Sequence, residues 1–577
     1  MAYTNFKTAI FCTLRCVESL ADSKETRDRL AGLDAQVDYS KVYLETYRGF
    51  YKEGITALED LIISDEKMTF VKSLFEKKGV QTSGAITTTG FGKRGRFVSL
   101  CYSDAKDRTL LENVVRKTAS LFDEIILDDF YFTNCKCEKC AAEKADRSWD
   151  EFRRDQLNDV SKNIVLKTAR ETNPKVKVII KYPNWYENYH MSGYDPENEP
   201  KVFDMVYTGV ETRDETLTQQ NTQKYLGYFL MRWMENLSGG RNGGGWLDTF
   251  DCRNKLEDYI SQILMTLFAK GREVTLFCLS RLLYQDAMFV PLAGFIMREF
   301  DALAPHIGNP KGLACYKPFH SDGEDYLHTF LGTAGIPLEP YAEYPENERA
   351  VLLTQNAAKD GNIISKIRAS LEKGNDVIIT SGLLSVLQDK GFDRLCTVRV
   401  TGGTVSAGRF AMNMLICSYD TYTEKQPPVL FPKLKYHTND CFPRIVAMDS
   451  DNSFPVLLED AVLNGKLWIL AVPENTGDIY RLPVPVLDKI RSVCSVGTGA
   501  YLSGTHKDRL FVYDNDTLII QAGQSHNHNA GIIIEGTAAS LTDINSKETF
   551  DGRVDGAITS FEVPMLPASY RVLAVKR

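Results

Sequence analysis

The first half of the chain alternates short β-branched runs with helical stretches, and this pattern constrains the fold more than any other feature. Parallel strands need a crossover connection, which is usually a helix, so eight such alternations predict a (β/α)8 (TIM) barrel in an α/β protein. We place this barrel at residues 1–308. Its predicted strands are Thr8–Leu14, Lys41–Arg48, Val80–Thr88, Glu124–Phe130, Val176–Tyr182, Val202–Val210, Tyr228–Met234 and Glu273–Ser280. Its predicted helices include Asp65–Lys78 with Ser64 as N-cap, Thr109–Leu121, Ser148–Glu171 and Lys255–Lys270.

The pattern changes twice after the barrel. Between residues 309 and 402 buried apolar runs alternate with helices again, which predicts a small flavodoxin-like α/β domain. From residue 403 to residue 577 short strands are broken by Gly, Asn, Asp and Pro turns, which predicts a C-terminal β-sandwich. The predicted strands of these two regions include Leu313–Tyr316, Val351–Thr354, Asp376–Thr380, Lys466–Val472, Arg509–Tyr513, Thr517–Ala522, Gly531–Glu535 and Ser569–Val575. The predicted helices of the flavodoxin-like region are Tyr326–Ala334 and Ile363–Lys373.

Charge and hydropathy exclude several classes of partner. The net charge of the 577 residues is −8, and no long run of lysine and arginine is present, so we expect no nucleic-acid partner. The apolar run at Thr8–Leu14 is too short to span a membrane and has no cleavage site behind it. We therefore expect no membrane association. The native compartment is either the cytoplasm or, if a signal peptide has been removed, an extracellular or periplasmic space.

Acidic and aromatic side chains follow several predicted barrel strands, where the reacting groups of such barrels lie. Histidine is scarce there, with only His190 near this face, so a metal-dependent amidohydrolase is disfavoured. The glycine-rich stretch 239–245 lacks the spacing of a phosphate-binding loop. Paired carboxylates with aromatic platforms favour hydrolysis of an oligosaccharide or glycan without a catalytic cofactor. The predicted substrate-binding residues are Glu45, Tyr47, Tyr182, Asn184, Trp185, Arg232, Trp233 and Trp246.

Three cysteines, Cys135, Cys137 and Cys140, are clustered six residues beyond Asp129. This spacing suits tetrahedral zinc, which needs a fourth ligand from elsewhere. Cys101 lies in the loop after the neighbouring third strand, so we expect it to complete the set. A site with four cysteines is closed, and we therefore predict a structural zinc ion rather than a catalytic one.

The order of these motifs resembles the β-galactosidases of glycoside hydrolase family 42. The similar segments are Cys101-Tyr-Ser-Asp104, then two acids with an aromatic residue before the cysteines, then Met234-Glu235-Asn236. The resemblance covers nearly the whole chain and implies a barrel, a domain similar to glutamine amidotransferases and a small β domain. It implies Asp129 as acid/base and Glu235 as nucleophile of a retaining enzyme that cleaves a terminal sugar. Because the family has Asn-Glu where this chain has Asp128-Asp129, we expect a distant relative with a different substrate.

Two alternatives stay open at this point. Several α-glycosidase barrels resemble this one in having an Asp nucleophile on strand four, which implies Asp128 or Asp129 as nucleophile and Glu211 or Asp214 as acid. The chain could instead be a non-catalytic carbohydrate-binding protein on a barrel scaffold. In the middle domain Cys315 lacks a glycine-rich elbow, so we expect an architectural role there, such as contacts within a homo-oligomer.

Overall fold

The structure is a computed structural model that describes residues 3–48, 62–91, 97–217, 222–415, 418–423 and 427–577. The chain forms two compact units, Met1–Ala304 and Pro305–Arg577. None of the helices in the described ranges combines the length and the apolar character that crossing a bilayer requires.

The N-terminal unit is a closed barrel of eight parallel strands, in which the first strand pairs with the last. This confirms the predicted (β/α)8 fold. The strands are β1 (Lys7–Cys12), β2 (Lys41–Arg48), β3 (Gln81–Thr87), β4 (Glu124–Leu127), β5 (Lys177–Tyr182), β6 (Met205–Gly209), β7 (Asn242–Asp248) and β8 (Glu273–Phe277). A short antiparallel pair of strands, Gly90–Phe91 and Phe97–Val98, follows β3.

Helices connect the barrel strands, and two predicted features of them are confirmed. Ser64 caps the helix Asp65–Glu76, since its hydroxyl accepts a hydrogen bond from the backbone N–H of Lys67. The long predicted helix at 148–171 is present as Trp149–Val160, a π-helical turn at Ser161–Leu166, and Lys167–Thr172. The remaining α-helices of this unit are Leu14–Asp22, Lys24–Asp34, Ala105–Leu121, Glu138–Lys144, Tyr225–Leu237, Leu256–Phe268, Leu279–Leu283 and Phe289–Leu303.

The predicted seventh strand, Tyr228–Met234, is wrong, because these residues lie within the helix Tyr225–Leu237. The first seven residues of this helix, Tyr225–Met231, are all buried, and such a short run of apolar and aromatic residues resembles a buried strand. The true seventh strand, β7, begins with Asn-Gly-Gly-Gly, which resembles a loop. The glycines are required by close packing: a Cβ at Gly243 would lie 2.1 Å from the ring of Tyr207. A Cβ at Gly244 would lie 2.4 Å from the backbone oxygen of Glu273.

Side chains that point into the barrel form one apolar layer near its middle. Alternate residues of a strand face opposite sides, so the same alternation carries other inward positions to the two ends of the barrel. Those end positions are polar: Glu45, Asp128 and Lys181 lie at the carboxyl ends of their strands, where active sites of this fold are built. The apolar layer consists of Ala9, Phe11, Tyr43, Ala85, Ile126, Ile179, Tyr207, Trp246 and Cys278.

The C-terminal unit begins with a mixed sheet of nine strands among the described residues. The predicted domain boundary after residue 402 falls inside the strand Arg399–Ala407. The distant strand Gly465–Leu470 pairs in parallel with Asp376–Thr380, so the α/β sheet continues well beyond that boundary. In order the sheet contains Leu338–Tyr341, Leu313–Tyr316, Ala350–Leu353, Asp376–Thr380, Gly465–Leu470, Asn452–Val462, Cys441–Asp449, Arg409–Leu415 and Ser418–Thr423. Its helices are Leu327–Thr333, Ile363–Glu372, Ser381–Leu387 and, further along the chain, Val484–Val493.

The last part of this unit is β-rich, as predicted. Two antiparallel sheets share one apolar core, with Leu510 and Ile520 from one sheet and Ile532 and Phe561 from the other. The larger sheet contains Pro310–Lys311, Arg509–Tyr513, Thr517–Gln521, Tyr570–Lys576, Ser540–Asp543 and Thr549–Asp551. The smaller contains Ala500–Ser503, His528–Glu535, Ile558–Met565 and Arg553–Asp555. A separate pair is formed by Arg399–Ala407 and Val429–Lys435.

Candidate active site

Lys181 brings two carboxylates together at the carboxyl end of the barrel. Its Nζ lies 2.9 Å from Oδ2 of Asp129 and 2.7 Å from Oε1 of Glu211. The lysine side chain is almost completely buried and points inward from β5, two residues beyond Ile179 in the apolar layer. Because one ammonium group binds both oxygens, acids that follow β4 and β6 converge on the same point.

Asp128 and Asp129 are adjacent in sequence but differ in environment. Asp128 is buried, and its carboxyl group accepts hydrogen bonds from Oγ1 of Thr87 at 3.2 Å and from the backbone N–H of Asp129 at 2.7 Å. Burial and the neighbouring Asp129 raise the pKa of Asp128 well above its usual range. Burial opposes the ionisation of Asp129 as well, but Lys181 outweighs it and lowers the pKa of Asp129. These opposite shifts favour the protonated form of Asp128 and the carboxylate form of Asp129.

Glu211 lies two residues beyond β6 and folds back over the end of that strand. A Cβ at Gly209 would lie 2.5 Å from Oε2 of Glu211, so the strand has to end in glycine for the acid to take this position. The side-chain amide of Asn184 donates a hydrogen bond of 2.5 Å to the backbone oxygen of Glu211. Burial, with Asp129 and Asp248 adding to it and Lys181 opposing it, raises the pKa of Glu211 to about 7. Glu211 can therefore hold a proton near neutral pH.

Arg213 and Asp248 tie the end of β6 to the end of β7. Nε and one terminal nitrogen of Arg213 bind the two oxygens of Asp248 at 3.1 and 2.6 Å. Arg213 adopts a left-handed backbone conformation with φ of 47°, which is strained for a residue with a side chain. Its guanidinium carbon lies 5.5 Å from the ring centre of Phe250. The two-point ion pair with Asp248 raises the pKa of Arg213, against the effect of burial, and Glu211 adds to this shift.

Aromatic rings form the floor beneath these acids. Trp246 points inward from β7, with its ring centre 4.8 Å from that of Phe11 and 5.6 Å from that of Phe277. Nζ of Lys181 lies 4.6 Å from the ring centre of Trp246, which adds a cation–π contact. The site thus has a buried apolar base below a charged upper layer.

The four predicted zinc ligands lie together on the loops that follow β3 and β4. Sγ of Cys101 is 3.5 Å from Sγ of Cys137 and 3.6 Å from Sγ of Cys140. The sulfurs of Cys137 and Cys140 are 3.7 Å apart, and Cys135 lies within 4.8 Å of all three. Four thiolates around zinc have sulfur–sulfur separations of about 3.8 Å. The arrangement fits a tetrahedral ion, and Cys101 takes the place predicted for it.

Three parts of the chain match known sequence families. Residues 1–293 match the family described as "Probable glycosyl hydrolase, catalytic domain". The chain belongs to this family. It is therefore a glycosidase. Residues 308–475 match the second domain of the uncharacterized protein SSO3021, and residues 499–575 match a "Probable glycosyl hydrolase, C-terminal domain".

Similar whole proteins support the same conclusion about the fold. SSO3021 of Saccharolobus solfataricus is 23% identical over 509 residues, which cover 81% of this chain and 82% of the relative. A catalytic mutant of Gan42B, a GH42 β-galactosidase from G. stearothermophilus, has a TM-score of 0.64 at 11% identity and covers 100% of this chain and 99% of its own. α-L-Fucosidase isoenzyme 2 from Paenibacillus thiaminolyticus has a TM-score of 0.66 at 10% identity, with both chains fully covered. The predicted distant relationship to the family 42 fold is confirmed.

The glycosidase does not carry Glu235 at its active end, which contradicts the predicted nucleophile. Glu235 lies on the helix Tyr225–Leu237, and both its oxygens bind Arg272 at 2.8 Å. Arg272 directly precedes β8, and Asn242, whose N–H donates to Glu235 at 3.3 Å, begins β7. Glu235 is thus at the amino end of the barrel, opposite Asp129. The prediction is wrong because the segment that carries Glu235 is a helix and not the seventh strand.

The other predicted residues are divided between the site and its surroundings. Asn184 and the half-buried Trp185 lie at the mouth, and Trp246 forms the floor. Glu45 is buried, where it accepts hydrogen bonds from Oγ1 of Thr87 at 2.5 Å and from the N–H of Leu14 at 2.6 Å. It therefore supports the strand ends from within. Tyr47, Tyr182 and Trp233 are buried. Asp214 accepts hydrogen bonds from the N–H groups of Thr216 and Leu217 and so caps a turn. Arg232 lies on the same helix as Glu235.

Sequence reasoning missed Lys181, Arg213 and Asp248 as functional candidates. A usable signal existed for Lys181, because a single charge inside the apolar strand Val-Ile-Ile-Lys-Tyr sits at the inward position. Asp248 ends a strand that was not recognised, so its position at the barrel mouth was not apparent. The role of Arg213 depends on that same aspartate.

Proposed function

We propose that this chain is a retaining glycoside hydrolase whose reacting pair is Asp129 and Glu211. The observation that carries the proposal is the contact of both acids with Nζ of Lys181. This pairing corresponds to the alternative with a strand-four nucleophile rather than to the pair Asp129 and Glu235.

The two acids are suited to different roles because their pKa values are shifted in opposite directions. Asp129, with a lowered pKa, is the carboxylate that attacks the anomeric carbon. Glu211, with a pKa of about 7, donates its proton to the leaving oxygen as that bond breaks. Water then gives a proton to Glu211 and attacks the glycosyl ester of Asp129, which releases the sugar with retained configuration.

The spacing of the acids supports retention over inversion. Two oxygens held by one ammonium group lie no more than about 6 Å apart, and retaining enzymes have carboxyl groups about 5 to 5.5 Å apart. Inverting enzymes need about 6.5 to 9.5 Å, to leave room for a water molecule. In this scheme the buried Trp246 supports Lys181 from below, and the partly exposed Arg213 lies where it can bind hydroxyl groups of the sugar.

Chemical rescue of the two variants tests the assignment of roles. The substrate is found first with a panel of aryl glycosides that includes β-galactosides and α-L-fucosides, the activities named for two proteins of the same fold. Added azide should restore turnover to Asp129→Ala with an inverted glycosyl azide product, and to Glu211→Ala with a retained one. The opposite pair of products would exchange the two roles. Absence of any loss of activity in either variant would remove the proposal.

Glu235→Ala is the matched control for these variants. It removes a carboxylate of the same barrel, but at the amino end and in contact with Arg272. We expect its turnover number to equal that of the unmodified protein once both are folded. A loss comparable to that of Glu211→Ala, with circular dichroism unchanged, would contradict the placement of the active site.

We also propose that Cys101, Cys135, Cys137 and Cys140 bind one structural zinc ion. The support is the four-sulfur geometry, which joins the loops that follow β3 and β4. The ion would contribute stability to these loops and no step of the reaction. Metal analysis should find about one equivalent of zinc per chain, and Cys137→Ser should lose it. Protein purified without chelator and free of metal would overturn this proposal.

A further inference from the structure

Four aromatic rings form a contiguous cluster on the loops that follow β3, β4 and β5. The ring centres of Phe97 and Phe130 are 5.0 Å apart, those of Phe130 and Phe132 are 6.3 Å apart, and those of Phe132 and Trp185 are 6.0 Å apart. Phe130 follows Asp129 directly in the chain, and Trp185 follows Asn184, whose side-chain amide binds the backbone oxygen of Glu211. The cluster therefore lies on loops at the same end of the barrel as the two carboxylates.

One ring of this cluster is buried, and the other three have accessible surface. Phe132 is 7% exposed and contacts the other three rings, including Phe97 at 6.4 Å. Phe97 is 40% exposed, and Phe130 and Trp185 are half-buried. Exposed aromatic rings that touch one another next to an active site mark a binding surface, since isolated exposed rings are ordinary but contiguous ones are not.

Hydrogen bonds connect the loops that carry Phe97 and Phe130. Asn134 donates from its side-chain amide to the backbone oxygen of Phe97 at 3.0 Å, and its Oδ1 accepts from Oγ of Ser99 at 3.1 Å. The backbone N–H of Asn134 donates to the same hydroxyl at 3.2 Å. The contact of Cys101 with Cys137 joins the same two loops a few residues away. These links hold Phe97, from the loop after β3, against Phe130, from the loop after β4.

We propose that Phe97, Phe130 and Trp185 form a platform that binds a second ring of the substrate, either the next sugar or an aromatic aglycone. This inference rests on the proposed function, because it places the second ring relative to Asp129. A pyranose or an aryl ring presents an apolar face that stacks on such side chains. The chain would therefore prefer glycosides with a ring on both sides of the cleaved bond. Asn134 is a positioning residue, since it acts on the substrate only through Phe97.

A comparison of two leaving groups tests the platform. The 4-nitrophenyl glycoside and the glycosyl fluoride of the same sugar share the ring that is cleaved, but only the first carries a second ring. In Phe97→Ala we expect kcat/KM for the nitrophenyl glycoside to fall about three- to tenfold, the usual value of one aromatic contact, with the fluoride unchanged. Asn134→Ala should show the same selective loss to a smaller extent. Phe295→Ala removes a phenylalanine that is 55% exposed on the helix Phe289–Leu303 and should change neither substrate.

Equal kcat/KM losses on both substrates, or no loss on either, would overturn the platform. A loss in Phe97→Ala that extends to a disaccharide of the same sugar would identify the second ring as a sugar, whereas a loss confined to the nitrophenyl glycoside would identify it as an aromatic aglycone. Failure of the proposed function gives a different pattern: Asp129→Ala would then turn over both substrates as well as the unmodified protein does. The two ideas can therefore fail independently.

Discussion

The two ends of the barrel carry the same kind of ion-pair arrangement, a buried lysine between two carboxylates. At the amino end, Nζ of Lys41 lies 2.9 Å from Glu124 and 2.9 Å from Glu273. At the carboxyl end, Lys181 lies 2.9 Å from Asp129 and 2.7 Å from Glu211. Distances and residue types alone do not distinguish the two.

The surroundings of the carboxylates make the difference. Oε1 of Glu273 accepts hydrogen bonds from the hydroxyl groups of Tyr43 at 3.0 Å and Tyr207 at 2.8 Å, and the side chain is 3% exposed. The acid is held by donors on several sides and has no access to a substrate. Asp129 is 19% exposed toward the mouth, and at this end the pKa of Asp129 is lowered while that of Glu211 is raised to about 7. A charged cluster is thus a structural support where its acids are enclosed, and suited to chemistry where one acid remains accessible.

Removal of single carboxylates should give the largest difference in kcat/KM between variants at the two ends of the barrel. Asp129→Asn and Glu211→Gln should each lower kcat/KM at least about 10²-fold, because they remove the proposed nucleophile and the proposed proton donor. Glu124→Gln and Glu273→Gln keep the active end intact, so we expect unchanged kcat/KM per folded molecule. Steady-state kinetics on the aryl glycoside that is turned over provides the measurement.

Thermal unfolding of the same four variants controls for misfolding. The amino-end variants should unfold at lower temperature, since each leaves Lys41 with one carboxylate instead of two. If Glu273→Gln inactivates the folded enzyme as strongly as Glu211→Gln does, the distinction between the ends is wrong.

Replacement of Lys181 by methionine should shift the pH dependence of kcat/KM, whereas replacement of Lys41 should not. In the unmodified protein kcat/KM should fall above pH about 7, where Glu211 loses its proton. Lys181 lowers the pKa of Asp129 and of Glu211, so Lys181→Met should raise both and move the whole profile to higher pH by about one unit or more. Lys41→Met should leave the profile where it is.

Stability measurements keep this prediction interpretable. Both variants leave buried carboxylates without a cation, so both should lose about 3 to 5 kcal/mol of unfolding free energy near neutral pH. A profile that moves equally in Lys41→Met and Lys181→Met would mean that the shift reflects general loosening of the barrel. Urea unfolding at several pH values gives the comparison.

The barrel could be predicted because its evidence is periodic and local. Seven of the eight predicted strands overlap the observed ones, since each is a short β-branched run between polar helices. The seventh failed for a tertiary reason: Gly243 and Gly244 are present so that β7 can pack tightly on Tyr207 and Glu273, and glycine in isolation indicates a loop. The contacts that require these glycines are not visible in sequence.

Part of the candidate site could also be predicted from the periodic strand pattern. Asp128, Asp129 and Glu211 follow correctly placed strands, and their position at the barrel mouth follows from the fold. The prediction for Glu235 depends on a motif similar to the family. Because the segment is a helix and not a strand, Glu235 lies at the amino end of the barrel. Which acid is ionised depends on Lys181, and this required knowing which way each strand residue points.

The smallest expected effect is on the pH dependence of stability, in which Glu211→Gln and Glu273→Gln should differ. The pKa of Glu211 is raised to about 7 in the folded protein from its usual 4.5, so the folded state holds the proton more tightly than the unfolded chain does. The stability it contributes is complete below about pH 4.5 and is lost as the pH rises through about 7. Glu211→Gln should therefore match the unmodified protein near pH 5 and exceed its unfolding free energy by about 2 kcal/mol at pH 8.

Glu273→Gln should behave in the opposite way and be less stable at both pH values, because Glu273 is paired with Lys41 and two phenol groups. Denaturant unfolding of the two variants at pH 5 and pH 8 measures the difference directly. If Glu211→Gln is destabilised more at pH 8 than at pH 5, then Glu211 is ionised and stabilising in the folded state. In that case it could not act as the proton donor, and the carboxyl end would resemble the amino end after all.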